Sequence, residues 1–164
     1  MKASMFLNSI AMRTLYSSLF LPYINYCCEV WGLTNKRTID PLVKLQKKAI
    51  RIVSKVGKYE HTNGLFYQLK LLKFVDLVYL KVGIIMFKAR INKLPVKVQE
   101  KFSLNINTNY SLRSVNKFKV KYVRTALKAK TLSIYGVKIF NTISFDMNKA
   151  TNVLRFKALF KKKV

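Results

Sequence analysis

The chain has 164 residues, with 32 Lys and Arg against 6 Asp and Glu, a formal net charge of +26. Apolar residues make up 51% and aromatics 13%, which excludes a disordered basic tail, and five Gly and three Pro exclude a low-complexity segment. The length fits one domain or a compact piece of a larger one, and the charge predicts a polyanionic partner: nucleic acid first, an anionic membrane surface second.

In chain order, residues 3–21 predict a helix, with Leu7, Ile10, Ala11, Thr14, Leu15 and Leu19 at three- and four-residue spacing. Pro22 is expected to break it, leaving an aromatic-rich stretch from Tyr23 to Trp31 whose conformation stays open. A polar connector follows from Gly32 to Thr38. Asp40-Pro41 then reads as a helix start, with Asp as cap and Pro in the first turn, and Gly57 as the stop. Within this helix Leu42, Leu45, Ala49, Ile52, Val53 and Val56 predict the core side, and Lys44, Lys47, Lys48, Arg51, Lys55 and Lys58 a wholly basic side. That side has three open readings: a solvated face, a phosphate-binding face, or a membrane-surface face.

Thr62 to Leu72 predicts a short helix, and Asp76 is expected to cap a longer, almost wholly apolar one from Leu77 to about Lys93. Leu94-Pro95 stops it. Residues 103–111 are rich in Asn and Ser and predict a loop. The character changes there, because residues 1–104 hold 18 basic and 5 acidic residues while residues 105–164 hold 14 and 1. Lys117 to Arg124 alternates basic with apolar or aromatic residues, the period of a half-buried strand. Thr131 to Thr142 predicts a helix interrupted by Gly136, and Leu154 to Val164 a basic amphipathic tail ending in three lysines. The fold class expected is therefore mainly α: a bundle-like helical region over 1–104 and a small mixed part over 105–164 with one or two short strands.

The chemistry of the scarce residues is mostly exclusion. The six acids lie 11 or more positions apart, so none pairs along a helix turn or strand to hold two metal ions or to flank a glycosidic bond. The single histidine, His61, falls in a polar loop. Cys27 and Cys28 are adjacent, which fits neither a zinc knuckle nor a disulfide framework, and both are expected as buried thiols. Neither the uncharged stretch Thr14–Cys28 nor the charge-interrupted run Leu71–Ala89 satisfies the roughly 20 apolar residues of a membrane span.

A longer pattern runs through these elements. Leu15-Tyr16, Leu19, Pro22-Tyr23, Tyr26 and Val30-Trp31-Gly32 resemble a segment that follows the polymerase palm in reverse transcriptases of non-LTR (LINE-like, jockey-type) retrotransposons. Leu42 with Leu45-Gln46-Lys47-Lys48-Ala49-Ile50-Arg51-Ile52 is similar to the helix that comes next in that family. His61-Thr62, Leu65-Phe66, Leu71-Leu72-Lys73, Asp76-Leu77, Asn92, Leu94-Pro95 and Phe102 continue the likeness in order. So do Tyr110, Arg113, Arg124-Thr125, Lys128, Ser133-Ile134, Gly136 and Asn141, which brings the resemblance across nearly the whole chain. Cys28 and Phe140 depart from the family's usual Gly and Trp.

The resemblance implies the C-terminal, thumb and post-polymerase region of an RNA-directed DNA polymerase. It implies a palm, with the two catalytic aspartates, upstream of Met1; no adjacent acid pair occurs here. The chain is accordingly expected to bind nucleic-acid backbone without catalysing polymerisation, with no cofactor, no metal site and no catalytic residue of its own. Its expected partners are an RNA/DNA duplex and the upstream polymerase domain. Expected contact residues are Lys44, Lys47, Lys48, Arg51 and Lys55, with Lys119, Lys121 and Arg124 as a second set. The alternative is a stand-alone basic module for nucleic acid or a membrane surface. An intracellular location, nuclear or cytoplasmic, without secretion or a transmembrane span completes the reading.

Overall fold

The computed structural model describes residues 6–105, 117–143 and 150–163. The fold is mainly helical, as the periodicity predicts, and it divides into two compact units, Met1–Leu77 and Val78–Val164. The break in charge pattern at 104/105 is a feature of composition; the units divide inside a helix.

In the first unit, α1 (Ser9–Leu15) starts at Asn8, whose side chain accepts a 2.8 Å hydrogen bond from the Ala11 amide. It runs without a break into a π-helical turn, Tyr16–Phe20, and then α2, Leu21–Asn25. Pro22 therefore lies inside a continuous helical path instead of ending it. The widened turn just before it, closed by Leu21 N–H to the Tyr16 carbonyl, accommodates a residue that cannot donate to the ladder. The stretch left open after Pro22 is a turn followed by a second short helix. Cys27 takes a left-handed conformation (φ 47°) and starts α3, Cys28–Trp31. Cys28 is buried as expected, whereas Cys27, at the turn, is exposed.

The next helix, α4, spans Lys36–Val53. It starts four residues before Asp40, so Asp40 is not its cap and Pro41 lies within it. The connector shrinks accordingly. The helix also ends sooner than Gly57: Ser54 caps it, Lys55 is left-handed (φ 54°), and the Lys55 and Val56 amides donate to the Ile52 and Arg51 carbonyls at 3.2 and 3.1 Å. This pair of bonds is a Schellman motif, with lysine in the position that glycine usually fills. The same arrangement ends α5 (Asn63–Gln68) at Lys70, and α6 (Phe74–Arg90) at Asn92. α5 is shorter than the 62–72 span expected.

Met12, Tyr16, Ile50, Val53 and Phe66 form the buried cluster of this unit. Gln46 lies at its edge with 1% of its surface exposed. Its amide nitrogen donates to Tyr16 Oη (3.2 Å) and to the Leu72 carbonyl (3.1 Å), and its oxygen accepts from the Phe74 amide at 2.8 Å. That last bond satisfies one of the free amides at the start of α6. Asp76, expected as the cap, is the third residue of that helix. Trp31 stacks on Phe74 (5.2 Å, 16°) and donates its indole N–H to the Tyr26 carbonyl.

The second unit holds most of α6, then α7 (Val96–Gln99), α8 (Ala126–Ala129), a π-helical turn (Leu132–Gly136), α9 (Val137–Thr142) and α10 (Val153–Lys163). Gly136 passes inside a continuous helical path and does not interrupt it. A row of rings threads this core: Phe102 on Phe118 at 6.1 Å, Phe118 on Phe140 at 5.6 Å, Phe140 on Phe156 at 6.4 Å and Phe156 on Phe87 at 5.1 Å. Among the described residues, the strand expected over Lys117–Arg124 reduces to one antiparallel bridge, Leu104 with Phe118. Asn105 N–H donates to the Lys117 carbonyl and Lys119 N–H to the Ser103 carbonyl, both at 2.8 Å. On its other side, Phe118 offers its own amide and carbonyl to the Asn141 side chain at 3.1 and 2.9 Å. One asparagine thus takes the place of a neighbouring strand on that edge. The 103–111 loop lies largely outside the described residues.

Candidate nucleic-acid interface

An α-helix turns about 100° per residue, so residues at i, i+3, i+4 and i+7 share one side. Lys44, Lys47, Lys48 and Arg51 have this spacing on α4, and Gln46, Ile50 and Val53 are buried on the opposite side. Lys44, Lys47 and Lys48 are exposed and Arg51 is half-buried. The structure therefore brings four of the five first-choice residues onto one outward face. Lys55 does not join them as a helical residue, because it lies beyond the helix end in the left-handed Schellman position; it is nonetheless exposed.

The apolar side is rotated from the sequence expectation. Leu45 is 55% exposed, while Gln46 and Ile50 are at 1% and 0%. Ala49 and Ile52 pack beside the core and form its margin. Two cations escaped the sequence reading because the helix was expected to begin at Asp40. Lys36 and Arg37 occupy the first turn, both exposed, and Arg37 extends the basic face toward the N-terminus. Their signal was present as Lys36-Arg37-Thr38 before an amphipathic run; Pro41, read as a first-turn residue, hid it. Cations at the positive end of a helix each cost about 0.3–1 kcal/mol at low salt, a penalty that an approaching anion removes.

Arg51 has a second task. Its Nε donates to the Glu60 carbonyl at 2.8 Å, which ties the 57–60 turn to the last turn of α4. The turn itself is closed by Glu60 N–H on the Gly57 carbonyl at 3.2 Å. Lys58 and Tyr59 sit at its tip, with the lysine Nζ 5.6 Å from the ring centroid. His61 follows in the loop and is exposed.

The second set lies in the other unit. Lys119, Lys121 and Arg124 are all exposed, in an irregular segment and not on one face of a strand. Lys119 is fixed locally, its amide donating to the Ser103 carbonyl. The basic residues are also unevenly spread: Thr14 to Asn35 contains none. That stretch, whose one charge is Glu29, exposes Leu19, Tyr23, Tyr26 and Val30 at 62–81%.

Among the described residues, no group of three His, Cys, Asp or Glu lies together as a metal site would need. No helix among them is long and apolar enough to cross a membrane. The chain matches no family model, no curated protein and no solved structure.

Proposed function

We propose that this chain binds the sugar–phosphate backbone of nucleic acid through α4, as the thumb and post-polymerase part of a non-LTR-type reverse transcriptase, without a catalytic centre of its own. The observation that carries the reading is the run of Lys44, Lys47, Lys48 and Arg51 on one exposed helical face, with no acid between Asp40 and Glu60 to neutralise it. Cations held at one-turn spacing repel one another and gain most from a ligand that carries regularly spaced negative charge. Such contacts read no sequence and position a duplex by its phosphates. The family resemblance across nearly the whole chain supplies the polymerase context. The apolar surface of Thr14–Asn35, which carries no basic residue, supports it too, since a piece of a larger protein leaves a surface of that kind where its neighbour belongs.

The same apolar surface favours a second reading, a basic module at an anionic membrane. One experiment separates them. Lys44→Glu, Lys47→Glu and Lys48→Glu together are expected to abolish duplex binding while leaving helicity by circular dichroism intact. Four phosphates neutralised by α4 correspond to a log–log salt slope of about −3.6 for the unaltered protein. Unchanged duplex affinity in the triple variant refutes the role of α4. Tighter binding to vesicles of anionic lipid than to duplex at equal salt selects the membrane reading.

A further inference from the structure

The basic face of α4 ends beside an aromatic ring that no part of the core uses. Tyr59 is 87% exposed at the tip of the Gly57–Glu60 turn. A ring on a loose loop would be of little use to a ligand, but this turn is held at both levels. Its own backbone closes it, and the Arg51 guanidinium fixes it to the helix through the Glu60 carbonyl, one residue from the ring. Lys58 Nζ sits 5.6 Å from the ring centroid, on one side of it. The other side of the ring is open to a flat ligand, and the cationic edge favours an electron-rich one with a phosphate attached.

We propose, on the reading of α4 as a phosphate-binding face, that Tyr59 is a stacking platform for an unpaired base, so that the site prefers single-stranded nucleic acid or a single-stranded end over a closed duplex. A strand whose phosphates follow Lys44, Lys47 and Lys48 arrives at Arg51 and then at Tyr59. In a duplex the bases are already stacked and paired, and the ring has nothing to receive. In a single strand a base is free to turn onto it, and every base has a face to offer, so the preference is for strandedness and not for sequence. The combination of a cationic track with an aromatic platform is the one that single-strand binding requires.

The test uses the full chain with a labelled oligothymidylate of about 16 nucleotides and a duplex of the same length, at one salt concentration. Tyr59→Ala is expected to weaken single-strand binding about tenfold and leave duplex binding within about twofold. Tyr59→Phe keeps the ring and is expected to bind as the unaltered protein does. Tyr23→Ala, which removes an equally exposed ring from the stretch without basic residues, is expected to change neither. Equal losses on both ligands in Tyr59→Ala, or none on the single strand, overturn the stacking role. The Lys44, Lys47 and Lys48 reversal is read alongside. If it weakens both ligands while Tyr59→Ala weakens neither, the platform fails and the phosphate face stands. If it weakens neither, the phosphate face fails and the platform with it.

Discussion

Gln46 joins three parts of the first unit through its side-chain amide, and replacing it gives a measurable loss. Leucine matches its volume closely and would satisfy any requirement for an apolar side chain on the buried side of α4. It would also remove three hydrogen bonds, those to Tyr16 Oη, to the Leu72 carbonyl and from the Phe74 amide. A hydrogen bond contributes about 1 kcal/mol net, and a buried group left unpaired costs about 1–3 kcal/mol. Phe74 and Tyr16 are 1% and 4% exposed, so water does not readily replace the lost partner at either. Gln46→Leu is therefore expected to destabilise by about 3 kcal/mol, against which the added apolar burial returns about 1 kcal/mol. For a chain of this size the net loss lowers the melting temperature by roughly 4–8 °C, read by circular dichroism. The Tyr16→Phe variant adds a sharper criterion. Alone it costs about 1 kcal/mol, but in the Gln46→Leu background its cost falls toward zero, because the phenol has already lost that partner. A Gln46→Leu protein within about 0.5 kcal/mol of the unaltered one, or strict additivity with Tyr16→Phe, refutes the assignment of Gln46 as a joint.

Gly83→Ala is expected to lower thermal stability, because a Cβ there would meet Phe156 Cζ at 3.1 Å and Cε1 at 3.2 Å; an overpacking cost of about 1–3 kcal/mol exceeds the helix-propensity gain of about 1 kcal/mol. Melting curves decide the sign, and a rise in stability would mean that Phe156 yields freely. Lys70→Gly places the residue best suited to φ 53° at the end of α5 and is expected to raise stability by about 0.5–1 kcal/mol in urea titrations. Burial pushes the Tyr16 phenol above its usual value of 10.0, with the Gln46 hydrogen bond opposing it. Folding therefore favours the protonated phenol; the stabilisation is complete below pH 10.0 and is lost as pH rises through the higher folded value. Tyr16→Phe should flatten that part of the alkaline denaturation profile, and an unaltered profile would place its cause elsewhere.

Several elements were legible because they rest on local physics. The helical character of 9–21 and of 131–142, the nearly all-apolar α6 and the basic amphipathic α4 follow from spacing alone, whereas the passage of the helical path through Pro22 and Gly136 does not. The boundaries did not follow. Asp40-Pro41 has the composition of a helix start, but the chain is already helical from Lys36. Asp76 resembles a cap, yet the amide at the start of that helix is met by Gln46, 28 positions earlier. The helix ends at Lys55 and Lys70 carry lysine where glycine would have marked them. The alternation of Lys117–Arg124 is the pattern of a strand, but a strand needs partners, and among the described residues Phe118 has one bridge on one edge and the Asn141 side chain on the other. Of the candidate site, the four helical cations were legible. The link from Arg51 to the Tyr59 turn was not, since a side-chain bond to a backbone carbonyl leaves no trace in residue spacing.

The polar joint and the basic face constrain each other through the geometry of α4. Its apolar arc is broad: Leu42, Leu45, Ala49, Ile52 and Val53 would bury one side, and the Gln46, Ile50 and Val53 side is rotated from it by about 80°. Hydrophobic burial is nondirectional and tolerates either roll of the helix about its axis. Hydrogen bonds do not, because their strength falls steeply once donor and acceptor are misaligned. The three bonds of Gln46 select the roll in which Leu45 is left exposed and Ile50 is buried. The mean direction of Lys44, Lys47, Lys48 and Arg51 lies about 140° from the apolar side in either roll, so the choice exchanges the flanks: the observed roll points Lys48 straight outward and leaves Lys47 at the margin, where the alternative roll would do the reverse. A residue with no charge and 1% exposure thereby sets which cation stands at the centre of the exposed face and which at its edge, and its three hydrogen bonds offset the cost of burying its amide.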